Sequence, residues 1–98
     1  MQTHIVLKPG PVTGTTISNT TTSLTTPQTD TIGAILTVET NDIRMRWDGT
    51  NPASGISGGQ LMKKDSVWEV TGRDLLVNMR FFAEGSDAYI TCSELKGW

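Results

Sequence analysis

Charge is scarce in this chain. Only 18% of its 98 residues are charged, and eight Lys and Arg against ten Asp and Glu leave a formal net charge of −2. With no basic excess, the electrostatic footprint of nucleic-acid binding is missing. The pI near 5.1 gives no polybasic anchor for an anionic membrane either. No apolar run approaches the ~20 residues that span a bilayer. A basic segment followed by a long apolar one is absent at the N-terminus, so synthesis in a reducing cytoplasm is expected. A single cysteine, Cys92, leaves no partner for an intramolecular disulfide. A single histidine, His4, leaves little for acid–base chemistry near neutral pH. Metal sites need clustered His, Cys or carboxylate, and here the acids are scattered. Asp42, Asp48, Asp65, Asp74 and Asp87 all fall at predicted turns, where Asp is favoured on backbone grounds. No catalytic, cofactor-binding or metal residue is assigned, and no enzyme is expected.

What the chain does have is β patterning. Residues 43–49 read Ile-Arg-Met-Arg-Trp-Asp-Gly. Ile43, Met45 and Trp47 alternate with Arg44, Arg46 and Asp48, the period-two signature of a strand with one face packed and one wet. Two readings of the wet face stand: a local Arg–Asp pair in solvent, or a charged row that meets an acidic surface on a partner. Asp48-Gly49 ends the strand with a turn.

Threonine is the second abundance. Ten of the twenty residues at positions 12–31 are Thr, and their only charge is Asp30. Threonine forms strands well, and a disordered tail normally carries more charge. An extended arm over residues 10–32 is therefore predicted, held by the isolated apolar anchors Ile17 and Leu24 along the domain or along a neighbouring subunit. Asn19-Thr20-Thr21 fits a glycosylation sequon, an accident of threonine abundance without export.

A short strand over residues 3–8 is expected to be broken by Pro9, Gly10 and Pro11. Strands at 34–40 and 43–48 form a predicted hairpin around Asn41-Asp42. Residues 50–60, with Gly55, Gly58 and Gly59, read as a loop. Their resemblance to a phosphate loop with Lys63 fails on spacing and on the lack of a following helix. Further strands are expected at 61–62, 66–70, 77–82 and 88–94. Leu75, Leu76, Met79 and Phe82 also have helical spacing, but the run is short and its neighbours are strands.

Short strands with breakers every few residues predict an all-β chain: one domain over residues 1–98, with core strands at 33–94, as a sandwich or small barrel. The expected core is Ile35, Leu36, Val38, Ile43, Met45, Trp47, Leu61, Trp68, Val70, Met79, Phe81, Ala88, Ile90 and Cys92. Three tryptophans exceed the needs of so small a core, so one of them, Trp98 for example, is a candidate interface anchor. Open sheet edges invite pairing, and an uncharged Thr arm suits that role.

The stretch from Ile35-Leu36-Thr37-Val38-Glu39-Thr40 through Ile43-Arg44-Met45-Arg46-Trp47-Asp48-Gly49-Thr50-Asn51-Pro52, followed by Gly58-Gly59-Gln60-Leu61, resembles a motif of small tailed-phage virion proteins. So do Leu76-Val77-Asn78-Met79-Arg80-Phe81 and the closing Ala88-Tyr89-Ile90-Thr91-Cys92, where Cys92 replaces a usual Val. The resemblance covers about residues 20–93. It implies a jelly-roll-like β-sandwich that decorates or cements the capsid surface of the virion, often as a dimer or trimer, with the major capsid protein as partner. Ile17, Leu24, Arg44, Arg46 and Trp98 are the expected partner-binding residues. The alternatives are a tail, baseplate or fibre-attachment component, or a soluble ligand-binding β-domain with a pocket lined by Trp or Tyr.

Overall fold

Eight strands and one short helix follow one another among the described residues. The computed structural model describes residues 7–20, 22–53 and 58–97. The strands are β1 (Leu7–Ile17), β2 (Thr22–Ser23), β3 (Thr31–Glu39), β4 (Ile43–Arg46), β5 (Gln60–Met62), β6 (Val67–Thr71), β7 (Arg80–Ala83) and β8 (Ala88–Gly97). Helix α1 (Arg73–Asn78) lies between β6 and β7. The strands form two four-stranded sheets, ordered β1-β8-β3-β6 and β2-β7-β4-β5, with every pairing antiparallel. That strand order is a jelly roll, so the expected all-β sandwich is present.

The core lies between the sheets. Ile17, Leu36, Val38, Ile43, Met45, Met62, Leu76, Met79, Phe81 and Ile90 are completely or almost completely buried. Each such side chain contributes roughly 1.5–3 kcal/mol by leaving water. Alternation decides which residues take part. On β3, Ala34, Leu36 and Val38 point inward, so Ile35 points out and does not join the predicted core. Trp47 also leaves it: β4 ends at Arg46, and the indole falls beyond the sheet. Leu61 sits opposite Arg44 on the outer side and is half-buried, and Trp68 packs only partly against the core.

Three local expectations are corrected. The predicted hairpin of residues 34–40 and 43–48 is not a hairpin, because β3 and β4 belong to different sheets. Thr40 takes a left-handed φ of 76° and the chain turns a corner between layers. Inward alternation at Val38 and Ile43 is the same for either connection, so the pattern alone does not separate them. Pro9, Gly10 and Pro11 do not end a strand; β1 runs through them with a register shift between Pro9 and Val12. β1 is an edge, where a missing N–H leaves no ladder bond unmade. Finally, residues 77–82 are divided. Helix α1 covers the first part, with Leu76 and Met79 turned to the core three residues apart, and β7 begins at Arg80.

The Thr-rich arm lies on its own domain. Its first half is β1, with Ile17 in the core. Its second half is a strap across one end of the sandwich. Its own Leu24 and Pro27 are buried. Glu94, itself buried, accepts hydrogen bonds from the Gln28 N–H (3.0 Å) and the Thr31 hydroxyl (2.5 Å). Arg73 donates to the carbonyls of Pro27 and Gln28, each at 2.9 Å.

Candidate docking surface

The outward face of the β1-β8-β3-β6 sheet is built from three rows of paired residues. Val12, Ser93, Ile35 and Glu69 form the first; Gly14, Thr91, Thr37 and Val67 the second; Thr16, Tyr89 and Glu39 the third. Within these rows each strand contributes one large apolar residue to solvent: Val12 (66% exposed), Tyr89, Ile35 and Val67 (65%). Glu39 and Glu69 are the only charges in these rows, and Glu39 accepts a hydrogen bond from the Thr91 hydroxyl.

Gly14 makes room on this face for the Tyr89 ring. A Cβ built there would stand 1.6 Å from the Tyr89 hydroxyl oxygen and 2.3 Å from the ring carbon that carries it. The tyrosine ring therefore lies across β1, in the space a side chain at position 14 would fill.

The sheet edges differ in the same direction. β2 has two residues, and β5 has three and runs into Lys63 and Lys64. β6 has five residues with Glu69 among them. β1 has eleven, and its only charge is Lys8. Short strands and edge charges prevent pairing with other chains; a long uncharged edge permits it. Pro9 and Pro11 blunt the first third of β1, which leaves residues 12–17 as its open part.

The residues expected to bind a partner are not gathered here. Ile17 and Leu24 are core side chains of this chain, so neither reaches a partner. Arg44 and Arg46 lie on the opposite sheet. Arg44 is half-buried: its Nε donates to Glu84 (3.0 Å) and its Nη1 to the Gly59 carbonyl (3.3 Å). Arg46 donates to both carboxylate oxygens of Asp48, at 3.3 and 2.7 Å. Asp48 also accepts from the Thr50 amide (3.1 Å) and hydroxyl (2.6 Å). The Arg46 hydrogen bond, and then those of Thr50, hold the Asp48 carboxyl well below the usual carboxylate range. Of the two readings of this row, the local pair is the one the geometry supplies for Arg46. Trp98 and His4 lie outside the described residues.

Sequence reasoning passed over Val12, Ile35, Val67 and Tyr89 as a set. The available signal was apolar residues on the solvent side of several alternating strands. Ile35, however, was assigned to the core.

Among the described residues no cluster of three His, Cys, Asp or Glu forms a metal-binding group, and no helix is long and apolar enough to cross a membrane. Burial, and then the nearby Glu94, push the Cys92 thiol up to about 11, so it stays protonated. Open grooves lie at the ends of the sandwich. One of about 200 Å3 is lined by Asn41, Asp42, Lys64 and Glu84; one of about 250 Å3 by Met45, Arg46, Trp47, Asp48, Gly59 and Gln60. No family model, no curated protein and no solved structure matches this chain.

Proposed function

We propose that this protein is a non-enzymatic structural component of a tailed-phage virion, a decoration protein that docks on the major capsid protein and cements the shell. The observation that carries the reading is the outward face of the β1-β8-β3-β6 sheet, where Val12, Ile35, Val67 and Tyr89 stand in solvent beside the edge strand β1. Exposed apolar groups on a rigid surface suit protein docking, and an uncharged edge adds backbone hydrogen bonds to a neighbouring strand. The likeness of residues 20–93 to small virion proteins supplies the setting.

Size argues for repetition. Four strands spaced ~4.8 Å apart, about seven residues long at ~3.3 Å each, present roughly 450 Å2. A stable interface takes about 800 Å2 from each partner. One copy alone binds modestly, whereas a dimer or trimer on a symmetric shell gains by avidity.

Particles made without this protein should assemble and then lose resistance to heat or osmotic shock, and adding the purified chain should restore it. Unchanged resistance in such particles overturns the cement role. Quantitative mass spectrometry separates the shell from the tail: a capsid location requires copy numbers that scale with the major capsid protein, and a few copies per particle point to the tail or baseplate.

A further inference from the structure

The groove at the end of β4 has a composition that capsid docking does not use. Trp47 is 48% exposed there, although it is among the largest side chains in the protein. Its indole N–H and the Gln60 amide make no side-chain hydrogen bond with any described residue. The other described tryptophan, Trp68, differs on both counts: it packs against the core and its indole N–H donates to Ser66 at 2.8 Å.

We propose that this groove binds a neutral glycan, with one pyranose ring seated on the Trp47 indole and its hydroxyls bonded to Arg46, Asp48 and Gln60. An indole face is an apolar plate of the right size for the C–H face of a sugar ring, and its polar edge remains available. Beside it stands a guanidinium–carboxylate pair fixed by two hydrogen bonds and braced by two more from Thr50. Arg46 Nη1 has no partner among the described residues. A vicinal diol needs both donors and acceptors, and this pair with Gln60 supplies both.

Charge selects the ligand class. Arg46 and Asp48 cancel, and no other lining residue is charged, so the groove offers no net attraction to an anion or a cation. The low Asp48 pKa keeps the pair ionised through the physiological range. The volume of about 250 Å3 lies below the roughly 300–1,000 Å3 of sites for drug-sized ligands, which suits one ring of a chain that continues into solvent. The floor is close-packed. Gly59 adopts φ +137°, and a Cβ there would stand 2.8 Å from the Met45 carbonyl oxygen and 3.2 Å from Arg46 Cγ. This holds β5 against the arginine stem and fixes the pair before any ligand arrives, which lowers the ordering cost of binding.

The groove belongs to the sheet opposite the proposed docking face, so its test does not depend on shell binding. The experiment is saturation-transfer and 15N-HSQC NMR on the purified full chain, with glucose, galactose and N-acetylglucosamine and their trisaccharides at millimolar concentration, beside sialyllactose and sulfated galactose. The expected result is binding of at least one neutral sugar, with shifts confined to Trp47, Gln60 and their neighbours. Binding should fall at least tenfold in Trp47→Ala, persist in Trp47→Phe, and hold constant from pH 5 to 8. Trp47→Ala should keep the wild-type melting temperature, because the indole lies outside the core. No neutral sugar bound at these concentrations, stronger binding of the acidic sugars, or equal binding by Trp47→Ala overturns the proposal.

Discussion

The two sheets share one core and differ in what their outward sides do. On the β2-β7-β4-β5 sheet every guanidinium is tied down within the chain. Arg44 is held by Glu84 and Gly59, Arg46 by Asp48, and Arg80 by the carbonyls of Val77 and Met79. Arg44 and Arg80 gain little from a newcomer, which would have to break bonds already made, whereas Arg46 keeps Nη1 for one. On the β1-β8-β3-β6 sheet the outward side chains are mostly Val, Ile, Tyr, Thr and Ser, and the large apolar ones are left in water. The contrast teaches that a charged row is a poor guide to an interface when the charges neutralise one another nearby. The apolar face is the one with free energy still to gain from burial.

The largest expected effect separates the two faces. Ile35→Lys combined with Val67→Lys places two cations on the docking face. Binding to particles stripped of this protein should fall about 100-fold, which is about 2.7 kcal/mol. The melting temperature should hardly move, since surface changes of this kind stay within about 0.5 kcal/mol. Co-sedimentation and calorimetry read the two quantities. Undiminished binding in the double variant removes this face from the interface.

The opposite sheet should show the reverse. Arg44→Ala removes two hydrogen bonds from a half-buried guanidinium. A loss of roughly 1–2 kcal/mol in urea unfolding is expected, with shell binding unchanged. If Arg44→Ala weakens docking while stability holds, the charged row is the contact after all and the roles of the sheets exchange.

Much of this division was legible in the sequence, because alternation reports face directly. Residues 43–46 and 88–94 face as their pattern says, with Ile43, Met45, Ala88, Ile90 and Cys92 inward. Alternation does not report which sheet a strand joins, and the hairpin expected around Asn41-Asp42 failed for that reason. It also loses meaning where strands end. Trp47 keeps the inward phase of β4 but stands one residue beyond it, so a predicted core residue became the wall of a groove. Ile17 and Leu24 looked like anchors for a partner because threonine surrounds them. Their burial follows from β1 and the strap closing one side and one end of the sandwich, a long-range event with no local signature. The docking face was the least visible feature. It depends on four strands distant in sequence lying side by side, and on Gly14 admitting the Tyr89 ring.

Gly14 allows a finer cut within the docking face. In Gly14→Ala the new methyl group would occupy the space of the Tyr89 hydroxyl, and the ring, being the free end of a side chain, swings away. The strand itself should tolerate alanine, so stability stays within about 0.5–1 kcal/mol of wild type. Shell binding should fall only severalfold, because one of four apolar groups has moved. Nuclear Overhauser contacts from the Tyr89 ring to β1 should disappear together with that affinity. Their loss with full affinity retained would mean that the placement of the Tyr89 ring does not matter to docking.

The smallest effect lies in the core that both sheets share. Cys92 points inward from β8 beside Glu94, and its thiol is raised from an ordinary 9.0 to about 11, chiefly by burial. A raised pKa means that the folded state holds the proton more tightly than the unfolded chain does. Cys92 therefore contributes its full stability below pH 9, and that contribution is lost as pH rises from 9 through about 11. The measurement is a difference against a variant that lacks the thiol. The melting temperature of wild type should fall more steeply between pH 9 and 11 than that of Cys92→Val, a change of similar volume that costs under ~1.5 kcal/mol. At pH 8 a thiol-specific disulfide reagent should label Cys92 only as fast as the protein opens, because reaction requires the thiolate and access to it. Rapid labelling of the native protein at pH 8, with parallel melting curves for the two variants, would place the thiol at an accessible surface. The inward face of β8 would then be less tightly closed between the sheets than its neighbours Ile90 and Ala88 require.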